Sequence, residues 1–193
     1  MQRYAFDLAR HLHMTLTSVT KSNALNYTSV LWDELFTEVG QGYPDVEVAS
    51  VLVDAAATLM VTRPARFDVM VTGNLFGDIL SDLGAGLVGG LGLAPSANFN
   101  PSRTAPALFE PVHGSAPDIA GTGTSNPTGA ILSAAMMLGY LGYTRWEDRL
   151  FMAVKRALAR AKARPRDLGG TASTTDVASA VIEQLYQSSE IRS

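Results

Sequence analysis

Asn74-Leu75-Phe76-Gly77-Asp78-Ile79-Leu80-Ser81-Asp82 reads as the opening two turns of a helix, and the rest of the chain is organised around it. Asp78 and Asp82 are four positions apart, which places their side chains one above the other on a single helix face. Like charges at that spacing cost a helix roughly 0.2–0.5 kcal/mol unless a basic residue sits nearby. None does: the sequence has no Lys, Arg or His between Arg66 and Arg103, while Asp68, Asp78 and Asp82 all fall in that window. Two carboxylates on one face without a cation suit a divalent ion that prefers oxygen ligands, Mg²⁺ or Mn²⁺ rather than zinc. Two solvated aspartates near a helix start, where the macrodipole favours acids, fit the same pattern.

Working back from this helix, Phe67 to Thr72 reads as a buried strand that delivers it, so the junction between them is the expected active-site position. Asp54 to Val61 reads as a helix rich in small residues, with Asp54 in its first turn and Pro64 after its end. Val46 to Val53 has the composition of a strand, and Thr28 to Val39 carries Val30, Leu31, Leu35, Phe36 and Val39 at helical spacing. Met14 to Thr20 reads as a strand that presents Lys21-Ser22-Asn23 at its carboxyl end, where open α/β sheets meet their ligands. A single lysine after a strand also serves well as a solvated surface charge. The chain opens with an amphipathic helix bearing Tyr4, Ala5, Leu8, Ala9 and Leu12.

Forward of the helix, Gly84-Ala85-Gly86-Leu87-Val88-Gly89 matches G-x-G-x-x-G literally but follows a helix instead of a strand, so it is not a dinucleotide fingerprint. The glycines from Gly84 to Gly92 instead predict a helix end and a close backbone approach. Leu108 to Val112 reads as a strand leading into His113-Gly114-Ser115-Ala116-Pro117-Asp118-Ile119-Ala120-Gly121. Such a turn can offer backbone N–H groups to phosphate and a carboxylate to a ribose diol, or it can be a Gly/Pro-rich turn with a packed histidine. Asn126-Pro127 predicts a capped helix running to about Leu141, with Ile131, Leu132, Ala135, Met136 and Leu138 facing a core. Trp146 to Ala163 and Thr175 to Tyr186 are the remaining helices. Arg145 to Arg166 holds eight of the fifteen Lys and Arg residues, but Glu147 and Asp148 interrupt it and aromatics do not interleave, which reads as a solvated face.

Composition sets the outer bounds. The 193 residues are 47% hydrophobic and 17% charged, as expected of a globular chain with a real core. A net charge of −3 gives no general attraction to nucleic acid or acidic membranes, and no apolar stretch is long enough to cross a bilayer. Zero cysteines exclude disulfides and thiolate metal sites and fit a reducing compartment. No signal peptide is legible at the start of the chain, so the cytoplasm is the expected location.

Lys21-Ser22-Asn23, Asp54, Asn74 to Leu83, Leu93 to Ala97, Phe109 to Gly121, Asn126-Pro127 and Asp167-Leu168-Gly169-Gly170-Thr171 together resemble the β-decarboxylating dehydrogenases, the isopropylmalate, isocitrate and tartrate/D-malate dehydrogenase family. Ser96 to Pro101 and Lys21-Ser22-Asn23 look most like the tartrate/D-malate branch, while Leu52 to Ala57 looks more like the isopropylmalate branch. The resemblance implies an α/β chain that forms part of that family's two-domain fold, which is not a Rossmann fold. It implies residues 1–92 as a portion of the small, dimerising domain and residues 93–193 as a portion of the larger, cofactor-binding domain. It implies Asp54, Asp78 and Asp82 as ligands of Mg²⁺ or Mn²⁺, and Lys21 and Asp54 as catalytic residues contributed across a homodimer with a shared active site. His113, Gly114, Ser115, Ala116, Asp118, Ile119 and Asn126 would hold NAD, and the substrate would be a small 2-hydroxy dicarboxylic acid such as tartrate or D-malate, or alternatively 3-isopropylmalate. The segment carrying the family's substrate-binding arginines and catalytic tyrosine is expected to lie before Met1. The isolated chain is accordingly expected to be inactive, or to act as a dimerising, metal-binding module.

Overall fold

The computed structural model describes the backbone of residues 1–190 and the side chains of residues 1–187. It divides into two compact units, Met1–Gly84 and the chain from Ala85 on.

The first unit is built on a three-stranded parallel sheet in the order β2-β1-β3, from β1 (Leu16–Thr20), β2 (Val48–Leu52) and β3 (Val69–Thr72). Register runs Leu16 beside Val48 and Val69, and Val19 beside Val51 and Thr72. Parallel strands need crossover connections, and α2 (Thr28–Gly40) and α3 (Val53–Thr62) supply them, with α1 (Gln2–Leu12) entering first and α4 (Asn74–Val88) leaving after β3. As the central strand, β1 is buried along its whole length. Its Ser18 Oγ accepts from Trp32 Nε1 at 2.9 Å, and Thr72 Oγ1 of β3 donates to the Val19 carbonyl at 2.8 Å, while Thr20 Oγ1 is buried without a hydrogen-bond partner among the described residues.

One core of this unit gathers Ala5, Phe6, Ala9, Leu16, Phe36 and Val71. Phe6 is its centre, with ring centroids 5.0 Å from Phe36 and 4.8 Å from Tyr43. A second cluster joins Val19, Ala56 and Leu80, with Met60, Met70 and Leu83 packed against it. The opening helix forms where its spacing predicts, but the buried side is Gln2, Ala5, Phe6 and Ala9. Tyr4 and Leu12 are exposed. On α2 only Phe36 of the predicted apolar face is buried, and Leu31 and Leu35 face outward.

The second unit packs α5 (Thr128–Tyr140), α6 (Thr144–Ala159) and α7 (Thr174–Glu190) around Leu132, Ala153, Val154, Ala157 and Val181. An antiparallel pair, β4 (Pro95–Asn98) and β5 (Leu108–Pro111), lies against α5. The sequence pattern does not signal β4, because four residues beginning with proline carry no alternation to detect. The helix end falls within the predicted glycine run. Helix α4 runs through Gly84 and Gly86 to Val88 and stops at Gly89 and Gly90, whose φ values of 129° and 127° favour glycine. The predicted cap of α5 is shifted by one: the helix begins at Thr128, and Asn126 Oδ1 accepts the Thr128 N–H at 3.0 Å. Among the described residues no helix is long and apolar enough to cross a membrane.

Candidate functional site

In the first unit, three chemically distinctive segments fall at the carboxyl ends of three parallel strands, where ligands bind in open α/β sheets. Lys21 follows β1 directly, Asp54 is the second residue of α3 after β2, and Asn74 opens α4 two residues after β3. Strand order alone brings them to one edge. The Lys21 ammonium lies 2.8 Å from Asp54 Oδ1, joining segments 33 positions apart. That hydrogen bond, helped by backbone N–H groups of Asp54 and Ala55, holds the Asp54 carboxyl below the usual carboxylate range. Asp78 and Asp82 are exposed on α4, one turn apart. Among the described residues, no three carboxylates or histidines of a single chain cluster closely enough to hold a metal ion.

A cleft of about 310 Å³ opens beside this edge, lined by Thr20, Leu25, Ser29, Trp32 and the first turn of α4 from Asn74 to Phe76. Leu75 and Ile79 stand out from α4 at 69% and 56% exposure. Leu80 is only 5% exposed and belongs to the core of its own chain.

The second unit carries a pocket of about 480 Å³. The loop after β5 and the segment before α5 form much of its wall, through His113, Gly114, Ala116, Ile119 and Asn126. Ser115 and Asp118, predicted with them, are exposed and lie off the lining. Asp118 sits in the short 3₁₀ turn Pro117–Ile119 that presents Ile119. His113 Nδ1 lies 2.9 Å from the Gly114 carbonyl, and Ala116 takes φ 42°, bending the loop sharply.

Two further lining residues, Arg166 and Asp167, have no role in the sequence reading. Asp167 reaches the pocket because Asn126 Nδ2 donates to its Oδ2 at 3.0 Å across 41 positions, a distance no periodicity signals. The one signal available was the Asp167-Leu168-Gly169-Gly170 turn itself. Gly169 takes φ 74°, and a Cβ on Gly170 would overlap the Arg164 carbonyl. Gly92 closes the pocket floor: a Cβ there would sit 2.5 Å from Asp167 Oδ2 and 2.9 Å from Asn126 Cβ. Backbone therefore approaches the Asn126–Asp167 pair as closely as geometry allows, the close approach that the glycine run predicts.

Comparison with known proteins agrees with this layout. A family model described as isocitrate/isopropylmalate dehydrogenase matches residues 1–181. A 3-isopropylmalate dehydrogenase of Mycobacterium avium is 53% identical over 162 residues, covering 83% of this chain and 48% of that protein. A probable tartrate dehydrogenase/decarboxylase of Bacillus subtilis is 43% identical over 185 residues, covering 96% and 52%. The crystal structure of isocitrate dehydrogenase from Methylococcus capsulatus superposes with a TM-score of 0.90 at 46% identity, covering 95% of this chain and 54% of that one. The chain spans about half the length of the curated relatives it matches. With both the sequence and the α/β fold matched along nearly its whole length, the chain belongs to the isocitrate/isopropylmalate dehydrogenase family.

Proposed function

We propose that this chain supplies the metal-binding and dinucleotide-binding portions of an NAD- and Mg²⁺- or Mn²⁺-dependent β-decarboxylating dehydrogenase acting on a small 2-hydroxy dicarboxylic acid. The observation that carries the reading is the Lys21–Asp54 pair, 2.8 Å apart where β1 and β2 end in the sheet that also delivers α4 with Asp78 and Asp82. Family membership over residues 1–181 supports it. The acid residues fit a divalent cation: Asp78 and Asp82 stand exposed and one turn apart, in a stretch of sequence without a single Lys or Arg. Asp54 of a second copy in a homodimer completes the set.

Asp78 and Asp82, with Asp54 of a second copy, would hold the cation, which would supply Lewis-acid polarisation of the C2 oxygen and stabilisation of the negative charge left by decarboxylation. The chain's own residues position and protonate. Asp54 holds the Lys21 ammonium at the end of β1, from which Lys21 assists proton transfer at the substrate hydroxyl. In the second unit, the Gly92 floor and the His113–Ile119 loop leave room for a dinucleotide backbone, and Asn126 orients the Asp167 carboxylate beside it. His113, Gly114, Ala116, Ile119 and Asn126 line the NAD-holding pocket, and Ser115 and Asp118 stand at its rim, from which the Asp118 carboxylate would reach the ribose diol.

Tartrate or D-malate is the proposed substrate, on the strength of the Lys21-Ser22-Asn23 and Ser96–Pro101 segments. The 53% identity to an isopropylmalate dehydrogenase supports 3-isopropylmalate as a second reading. The test joins this chain to the complementary half of a relative and measures NADH formation with Mn²⁺ and each of the three acids. Turnover of one acid that is lost on chelating the metal is expected. Metal-independent turnover, or none with any 2-hydroxy dicarboxylic acid in a folded, NAD-binding protein, contradicts the proposal.

A further inference from the structure

Strand β1 ends between two neighbours that accompany it to different lengths. On the β2 side the pairing runs to its last residue, Thr20 beside Leu52, whereas on the β3 side it stops one residue earlier, at Val19 beside Thr72. Lys21 follows at once, and its carbonyl accepts the N–H groups of Ala24 and Leu25 at 3.0 and 2.9 Å, so the chain turns away immediately. On the β3 side the end of β1 is therefore held at its last paired residue. Thr72 holds it with a side chain as well as a backbone: its Oγ1 donates to the Val19 carbonyl at 2.8 Å.

Strand formation does not call for that hydroxyl. Val69 and Val71 serve in the same strand, and valine has the same branched shape and the same preference for a pleated surface. The other arm of the Thr72 side chain faces α4. A Cβ added at Gly77 would lie 3.5 Å from Thr72 Cγ2, and the Gly77 N–H donates to the Gly73 carbonyl at 2.9 Å. One side chain thus lies between the strand that delivers Lys21 and the turn of α4 that precedes Asp78. The Lys21–Asp54 pair is itself partly open to solvent and gains little from burial. Where the backbone of β1 ends accordingly decides whether the ammonium reaches the carboxylate.

We propose that Thr72 is a positioning residue for Lys21: its hydroxyl fixes the end of β1 against the junction of β3 and α4, and through it the approach of the Lys21 ammonium to Asp54. The functional meaning rests on the reading of Lys21 as the group that assists proton transfer. The position itself is measurable without substrate, cation or cofactor.

The chain has three lysines, Lys21, Lys155 and Lys162. Reductive methylation with isotope-labelled formaldehyde keeps their charge and gives each an NMR signal, beside that of the N-terminus. Lys155 and Lys162 belong to the second unit and serve as internal references. Spectra of the full 193-residue chain are compared for wild type, Asp54→Asn, Thr72→Val and Thr72→Ser, with thermal melts confirming that each folds. Asp54→Asn marks where the Lys21 signal lies when the pair is broken. Thr72→Val, which keeps the shape and loses the donor, is expected to move the Lys21 signal towards that position while the reference signals stay. Thr72→Ser, which keeps the donor, is expected to return it to the wild-type position. Thr72→Ala gives the same reading should Thr72→Val fail to fold. An unmoved Lys21 signal in the folded variant without the hydroxyl overturns the proposal, as does equal displacement in Thr72→Ser. Displacement of all three lysine signals overturns it too, because that marks general loosening and not positioning. A Lys21 signal unchanged by Asp54→Asn shows the pair to be absent in solution, and the role of Thr72 falls with it. Should the expected shifts appear while the chain joined to its complementary half shows no turnover, the positioning stands and the catalytic reading of Lys21 fails alone.

Discussion

Lys21 Nζ and Asp54 Oδ1 lie 2.8 Å apart, tying the end of β1 to the first turn of α3. The Asp54 side chain is 67% exposed, so the pair is a weak contributor to stability and chiefly a positioning device. Asp54→Asn is therefore expected to leave the melting temperature nearly unchanged at neutral pH while releasing Lys21. The sign of the pH effect follows from the lowered carboxyl. Its stabilisation is present above the ordinary value of 3.8 and is lost as the pH falls through the lowered folded value. Thermal melts across that range should show a small advantage of wild type over Asp54→Asn at neutral pH that vanishes in acid. An advantage that grows on acidification contradicts the pairing.

Phe6 is fully buried between Phe36 and Tyr43, and its ring tip would lie 3.3 Å from a Cβ added at Gly40. Truncating such a ring leaves a cavity that a packed aromatic cluster fills only in part. Phe6→Ala should destabilise the first unit by about 3–5 kcal/mol, read from denaturant melts. A loss below about 1 kcal/mol would mean that this cluster does not hold the sheet in place.

Much of this architecture was legible in the sequence, for physical reasons that also mark where legibility ends. Periodicity located the helices, and on α1 it chose Ala5 and Ala9, which are buried, but also Tyr4 and Leu12, which are exposed, and missed Phe6. The pattern gives a period without saying which side meets the sheet. The uncompensated acids of α4 announced themselves through local charge alone. The Asn126–Asp167 bond and the placing of Arg166 did not, since they depend on how α5 and the turn after α6 come together 41 positions apart. The strand β4 was silent because its pairing with β5, not its own four residues, makes it a strand.

Leu75 and Ile79 expose adjacent apolar surface on α4, as expected if this helix meets a second copy in a dimer with a shared site. Light scattering should show a dimer for wild type and a folded monomer for Ile79→Glu. Leu80→Glu should instead unfold the chain, since Leu80 packs with Val19 and Ala56. A wild type that stays monomeric at tens of micromolar contradicts the shared-site proposal.

Asp118 tests the choice of cofactor. Against the ribose diol, as proposed, its carboxylate would accept from the 2′-hydroxyl and repel a 2′-phosphate. Asp118→Ala should reduce the preference for NAD over NADP in calorimetric binding. An unchanged ratio would move the ribose contact to another carboxylate, and Asp167, on the pocket wall, is the one in place.

The central claim is that Asp78 and Asp82 bind a divalent cation through oxygen ligands. Mn²⁺ titration followed by calorimetry, with wild type, Asp78→Asn and Asp82→Asn compared at equal protein concentration, tests it most directly. Measurable binding by wild type and at least about tenfold weaker binding by each variant is the predicted result, since each removes one charged ligand from a small set. Equal Mn²⁺ affinity in all three proteins would contradict the claim.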